Sequence, residues 1–300
     1  IEQIILDDEW KPEKSVEVVK KAIRDGITLF VTSHPSNCAV ASKDFYNNPD
    51  LLFINLAATT TALTNLDDSF IRIIADAEME QKAIAKYFNE NVKGSKLLVI
   101  QDTSNLAYTS PAFNIFSEEI RGKGKWLFDR YKILVSDFKP DEVKKIMGKD
   151  YDALYILAGT FQAGIGNVAQ IFHYLHPDKP IMLTPWARSP AILDIAGDAI
   201  DKIILPSQYS SRLKDTVIDN YFKRYIERFG YRPHSMTIAM RQSLEILNQA
   251  FLSNNKNANE VKRFLLNTPY FETTLGRIRI NKFGDYSAEY NFITDIRAEL

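Results

Sequence analysis

Short, almost uninterrupted apolar runs recur along this chain, and amphipathic stretches fill the gaps between them. Ile4 to Leu6, Thr28 to Val31, Leu51 to Leu56, Lys96 to Ile100, Ala153 to Leu157, Pro180 to Leu183 and Lys202 to Leu205 are each bounded by polar or turn residues. A strand with one wet face alternates apolar and polar residues, whereas continuous apolarity marks a strand covered on both faces, as in a parallel sheet. The intervening stretches carry helical stripes. Val16, Val19 and Ile23 end at Gly26, and Met79, Ala83, Ile84, Tyr87 and Phe88 share one face. Farther on, Leu213, Val217, Tyr221 and Tyr225 run beside Ile218, Phe222, Ile226 and Phe229 up to Gly230, where a C-terminal cap is expected. This βαβα order predicts a doubly wound α/β architecture. Ser211 to Asn267 reads as almost all helix, and Arg277 to Ile296 as a closing pair of strands.

At 300 residues the chain is long enough for two domains of about 150 residues each. No glycine–serine linker separates two halves, so the chain is expected to cross between its domains more than once. A formal net charge of -1 offers no field to steer nucleic acid or an anionic membrane, and no apolar stretch approaches the ~20 residues of a membrane span. Neither a nucleic-acid partner nor direct membrane insertion is predicted. The single cysteine, Cys38, excludes an intrachain disulfide and a cysteine-based zinc site. Because the chain starts at Ile1 inside a strand-like run, any leader is expected to lie outside it.

Open parallel sheets bind ligands beyond the carboxyl ends of their strands, so the turns after the apolar runs are the places to search. After Val31 comes Thr32-Ser33-His34-Pro35-Ser36-Asn37, and after Leu56 comes Ala57-Ala58-Thr59-Thr60-Thr61; both are rich in hydroxyls and free of acid, lysine and arginine. Turns of this kind offer hydroxyls, backbone N–H groups and helix N-termini to one small anionic group. Later turns differ: Gln101-Asp102-Thr103-Ser104-Asn105 with Tyr108, Ala158-Gly159-Thr160-Phe161-Gln162, and Thr184-Pro185-Trp186-Ala187-Arg188 bring aromatics, Gln162 and Arg188. Plainer readings exist as well. Ser36 and Thr59 suit helix caps, Trp186 and Phe161 suit packing, and Arg188 suits a structural charge.

No catalytic constellation stands out, and the chain is expected not to be an enzyme. Gly159, Gly164 and Gly166 follow a strand and precede a helix, as in a nucleotide-binding α/β enzyme, but Gly164-Ile165-Gly166-Asn167 completes neither common phosphate-loop pattern. His173 and His176 lack the glutamate of a zinc motif, and Cys38 has no base placed by sequence to activate it. No cofactor and no metal are expected.

An ordered set of short signatures adds a family. Asp7-Asp8 precedes Pro12 and a helix, and Asp25-Gly26-Ile27 leads into the Ser36 turn. Ala57-Ala58-Thr59 is followed by Leu63-Thr64, Phe70-Ile71-Arg72 and Gln81. Asp137-Phe138, Ala196-Gly197-Asp198-Ala199, Tyr225 with Phe229-Gly230, and Gly276 with Phe283-Gly284-Asp285 come after. In this order the chain resembles the type I periplasmic solute-binding proteins of ABC importers, the branched-chain amino acid and amide-binding group, whose fold also serves as a receptor ligand-binding region. The family's opening strand, glycine turn and helix have no counterpart before Ile4.

The resemblance implies two lobes, each a mainly parallel sheet flanked by helices, joined by several crossovers. Residues 1–77 and 207–275 would form the first lobe, and 78–206 with 276–300 the second. It implies a periplasmic or extracellular location, importer membrane subunits or a receptor as partner, and capture of a small carboxylate-bearing ligand in an interlobe cleft by hinge closure. A sensor ectodomain of the same fold is the alternative. Ser36, Ala57 and Thr59 fall on carboxylate-binding positions, with the Ser36 and Thr59 hydroxyls and the Ala57 and Thr59 N–H groups as donors. Tyr108, Gly159, Thr160 and Phe161 fall at or near other pocket positions. Trp186 falls where amino acid binders often place an acid for the ligand ammonium. An indole is a weak partner for a buried cation, so an apolar or aromatic acid is the expected ligand.

Overall fold

The structure, a computed structural model, describes residues 2–122, 124–159 and 162–300. The chain opens with α1 (Pro12–Arg24), β1 (Leu29–Thr32), α2 (Ser36–Ala41), β2 (Leu52–Asn55) and β3 (Phe70–Arg72). It continues through α3 (Ala77–Asn91), β4 (Lys96–Asp102), α4 (Leu106–Arg121), β5 (Leu127–Ile133), α5 (Pro140–Met147), β6 (Ala153–Leu157), α6 (Ala163–Leu175) and β7 (Ile181–Met182). Then come α7 (Ile192–Ile195), β8 (Ile203–Ser207), α8 (Thr216–Phe229), α9 (Ser235–Leu252), α10 (Ala258–Asn267), β9 (Phe271–Thr273), β10 (Gly276–Ile278), β11 (Asn291–Ile293) and α11 (Ile296–Glu299).

These elements sort into two compact units, Ile1–Asp76 with Met236–Ala288 and Ala77–Ser235 with Glu289–Leu300. The first carries a parallel sheet in the order β1-β2-β3, and the second a sheet in the order β11-β8-β7-β6-β4-β5 that is parallel except for β11. Helices flank each sheet, as the α/β reading requires. In the first unit Phe30 stacks on Phe53 at 4.5 Å on one side, while Leu52, Ile54 and Ile71 meet α9 and α10 on the other. In the second, β4, β6 and β7 bury Leu98, Ile156 and Ile181 against helix α6. Gly164 and Gly166 let α6 approach the loop after β5 and helix α7: a Cβ on Gly164 would lie 1.8 Å from the Val135 carbonyl oxygen, and one on Gly166 2.5 Å from Ile195 Cγ2. These glycines serve packing.

Several expectations need correction. Ile4 to Leu6 form no strand and are 56%, 84% and 44% exposed, and no neighbouring strand pairs with them among the described residues. Conversely, β5 (Leu-Phe-Asp-Arg-Tyr-Lys-Ile) is an edge strand with half-wet faces, so its sequence lacks a continuous apolar run. The closing strands do not pair with each other: β10 pairs with β9 in the first unit, and β11 with β8 in the second. Residues 207–235 therefore join the second unit, where Ser211 donates to Glu299 at 2.6 Å. Residues 276–288 join the first, where Asp285 meets Arg72. No helix among the described residues is long and apolar enough to cross a membrane.

Asp68, on the loop before β3, offers a test of this packing. Burial pushes its carboxyl up to about 6, although it accepts the Phe70 N–H at 2.9 Å, which works in the opposite direction. A raised folded-state pKa means that the folded chain holds the proton more tightly than the unfolded one. The associated stability is complete below about pH 4 and is lost as pH rises through 6. Asp68→Asn, which keeps the acceptor, is expected to raise the urea midpoint at pH 7.5 and leave it unchanged at pH 4. A rise of equal size at both pH values would contradict it.

Candidate functional site

Parallel pairing of β1 with β2 sets Thr32 opposite Asn55, so the turns after these two strands leave the sheet side by side. Asn55 staples them together. Its Nδ2 donates to Thr32 Oγ1 at 3.0 Å and to the His34 carbonyl at 3.1 Å, and its Oδ1 accepts the N–H groups of Ala57 at 2.9 Å and Ala58 at 2.6 Å. Both donors and the acceptor of one buried amide are thus used. Across the turns, Ser36 Oγ accepts the Thr60 N–H at 3.2 Å.

A buried arginine supports the second turn from below. Arg72 is fully buried, and its Nη1 donates to the Thr60 carbonyl at 3.0 Å while Nη2 donates to Thr64 Oγ1 at 2.7 Å. Its Nε and Nη2 both reach Asp285 Oδ1, and Asp285 Oδ2 accepts the Asn65 N–H at 2.8 Å. Gly284 makes this approach possible. Its φ is +88°, its carbonyl accepts the Arg72 N–H at 2.8 Å, and a Cβ there would lie 2.7 Å from the Phe70 carbonyl oxygen.

Ser36 and Thr59 are not caps. The residue before α2 is Pro35, with no side-chain cap, and Thr60 rather than Thr59 caps the short turn that follows. Thr59 Oγ1 is instead buried with no partner among the described residues. Ala57 departs from the expectation in another way: its N–H is taken by Asn55, so it offers no backbone donor to a ligand. Nearby, His34 Nε2 lies 3.1 Å from Asp8 Oδ2, which also accepts from Ser15. Burial pushes the Asp8 carboxyl up, but hydrogen bonds from His34, Ser15 and the Trp10 N–H outweigh it and hold the group well below the usual carboxylate range. Cys38 is buried, and that burial pushes its thiol up to about 11, so it is no nucleophile.

In the second unit the corresponding turns follow β4, β6 and β7. Tyr108 points inward: its ring is buried and its hydroxyl donates to the Glu80 carboxylate, beside Gln81, which accepts from Tyr155 at 2.8 Å. Burial pushes the Tyr108 phenol well above its usual range. Its ring edge does reach Gly159, since a Cβ there would lie 2.9 Å from Tyr108 Cδ1. Thr160 and Phe161 lie outside the described residues. Trp186 is buried on the turn Pro185–Ala187. Arg188 beside it is a structural charge, buried and bonded through Nη2 to Glu299 Oε1 at 2.5 Å. His176 Nε2 lies 2.8 Å from the Met147 carbonyl oxygen, a packing role.

Sequence reading missed Asn55 and did not place Arg72 and Asp285 beside these turns. Asn55 carried a signal, as the one polar residue closing an otherwise apolar strand.

Comparison with known proteins agrees with this architecture. A family profile described as periplasmic binding protein matches residues 1–292. The Leu/Ile/Val-binding protein of Escherichia coli is 29% identical over 97 residues, which are 32% of this chain and 26% of that protein. The Leu/Ile/Val/Thr-binding protein of Salmonella typhimurium matches equally, over 27% of its length. Among solved structures, a leucine binding protein from Thermotoga maritima superposes with a TM-score of 0.84 at 17% identity, covering 97% of this chain and 83% of that one. A solute binding protein of an ABC transporter from Rhodopseudomonas palustris, in complex with 3,4-dihydroxy benzoic acid, gives 0.83 at 16% identity, covering 96% and 80%. In sequence profile and in fold, the chain belongs to the periplasmic binding protein family.

Proposed function

We propose that this chain captures a small carboxylate-bearing solute in the periplasm or outside the cell and presents it to the membrane subunits of an ABC importer. The observation that carries this reading is the Thr59 hydroxyl, 1% exposed and without a partner among the described residues, beside a Ser36 hydroxyl oriented by the Thr60 N–H. Because Ser36 Oγ accepts from Thr60, its own proton is directed elsewhere. The Ser36 and Thr59 hydroxyls and the Thr59 N–H then form a neutral donor set for a carboxylate, each bond contributing about 1.5–3 kcal/mol when charge-assisted. After ordering costs such a set supports micromolar affinity, about −8 kcal/mol. By the family resemblance, Trp186 stands at a position where amino acid binders often carry an acid, which favours an apolar or aromatic acid over an amino acid. Relatives support both ligand types, since similar structures hold isoleucine in one case and benzoate in another.

Calorimetric titration with benzoate and L-leucine tests the reading. Benzoate is expected to bind at least tenfold more tightly, because the leucine ammonium would be desolvated without a counter-charge. Thr59→Val is expected to weaken benzoate at least tenfold without lowering the melting temperature of the unliganded protein, since the lost hydroxyl has no partner to leave behind. Ser36→Ala differs: it also removes the acceptor of the Thr60 N–H, at about 1 kcal/mol of stability. If Thr59→Val destabilises the protein and leaves affinity intact, the donor set is structural and the proposal fails.

A further inference from the structure

Helix α8 leaves one flank bare. Val217, Tyr221, Tyr225 and Phe229 recur every four residues along it, and Tyr231 follows just past the Gly230 cap. The rings form one ladder, with centroids 5.9 Å apart between Tyr221 and Tyr225, 4.6 Å between Tyr225 and Phe229, and 5.6 Å between Tyr225 and Tyr231. Packing does not cover it: Val217, Phe229 and Tyr231 are 51%, 49% and 61% exposed, while Ile218 and Phe222 carry the buried face. Single exposed apolar residues are ordinary, but a contiguous exposed aromatic patch marks an interaction surface. The ladder lies wholly within the second unit.

Charges on α8 are sorted around this ladder. At 3.6 residues per turn Arg228 and Arg224 fall about 40° and about 80° from its midline, whereas Asp219 and Glu227 fall about 140° away and Lys223 on the opposite side. The far side is neutralised internally, since Arg212 and Lys223 both pair with Asp219 at 2.7 Å. Beside the ladder the cations are unspent. Arg224 and Arg228 are exposed and enter no ion pair among the described residues, and Arg228 lies over the Phe229 ring at 5.5 Å. The formal net charge of -1 for the whole chain hides this local excess of positive charge.

We propose that the aromatic and arginine flank of α8 docks reversibly on an anionic lipid surface. Helices that lie on a bilayer carry this pattern, with aromatic and aliphatic side chains for the boundary between headgroups and acyl chains and cations beside them for anionic headgroups. Tyrosine suits that boundary because its ring is apolar while its hydroxyl stays wet. A second copy of the chain docked through the same flank brings no anion to Arg224 and Arg228, because the acids of its own α8 stand on the far side of that helix. Two arginines and one short aromatic row give weak, reversible attachment rather than insertion. Such attachment holds the chain near a membrane whatever solute it carries, so it stands apart from the carboxylate reading above.

The test sediments the intact chain with vesicles of phosphatidylcholine alone and with vesicles that also contain phosphatidylglycerol. Partition onto the anionic vesicles is expected to be at least tenfold greater. Raising sodium chloride from about 0.1 M to about 1 M, which shortens the screening length from about 10 Å to about 3 Å, is expected to release the chain. Arg224→Gln with Arg228→Gln, and separately Val217→Ser with Phe229→Ser, are each expected to lower the partition at least fivefold with the melting temperature unchanged, since all four side chains are exposed. Lys223→Gln, on the far side, is expected to change it less than twofold. Equal or absent uptake by the two vesicle types, or a partition that neither double variant moves, overturns the proposal. Binding of soluble polyglutamate without vesicle uptake overturns it in favour of an acidic protein. A lipid-free dimer in sedimentation velocity that Val217→Ser with Phe229→Ser abolishes, again without vesicle uptake, overturns it in favour of a second copy.

Discussion

Asp285→Ala is expected to destabilise the protein by about 3–5 kcal/mol, seen as a large fall in the urea midpoint with little change in slope. Arg72 is fully buried, and Asp285 is the carboxylate that pairs with it among the described residues. Removing that carboxylate leaves a guanidinium with no counter-charge and cuts the Asn65 N–H from its acceptor. The damage reaches the site, since the same arginine holds the Thr60 and Ala58 carbonyls and so sets the height of the Thr59 turn. Benzoate affinity is expected to fall along with stability. Replacing both partners, Arg72→Met with Asp285→Leu, is expected to recover most of the stability but not the affinity, because an apolar pair avoids the stranded charge yet no longer holds the turn. A single-variant loss below about 1 kcal/mol, the range of an exposed pair such as Lys139 with Glu142, would show that Arg72 is solvated.

What could be read from the sequence follows from how locally each feature is encoded. Strands buried on both faces announce themselves, and β6 at Ala153–Leu157 matches its apolar run residue for residue. Helix ends marked by glycine are equally local: Gly230 has the expected positive φ, +76°. By contrast β3 is three residues long and β5 is a half-wet edge strand, so neither has enough pattern to stand out. Ile4 to Leu6 show the converse, an apolar run that no partner strand completes among the described residues. Asp285 and Arg72 are 213 residues apart, and only the fold brings the two motifs together. Ser36, Ala57 and Thr59 do lie on adjoining turns, but the direction of each hydrogen bond is a tertiary property. That is why Ala57 proved to spend its N–H on Asn55 and Tyr108 its hydroxyl on Glu80.

Asn55→Leu is expected to cost about 3–4 kcal/mol and to weaken benzoate binding at least a hundredfold. Leucine fills a similar volume, so the effect isolates the amide. Its removal strands the Ala57 and Ala58 N–H groups and the His34 carbonyl in a buried setting, each unsatisfied group costing about 1–3 kcal/mol before relaxation. The sum exceeds the expected loss because the turns can shift to admit water. That shift is what is expected to lower affinity, because the proposed donor set spans two turns that one amide ties together. Asn55→Asp separates the two effects. It keeps the acceptor for Ala57 and Ala58 but loses the donor to His34 and adds a negative charge beneath the proposed carboxylate site. Its stability loss is therefore expected to be smaller than that of Asn55→Leu and its affinity loss at least as large. Parallel urea titrations and calorimetry on the two variants check this ordering, and an Asp variant that binds benzoate normally would remove the Asn55 staple from the account of binding.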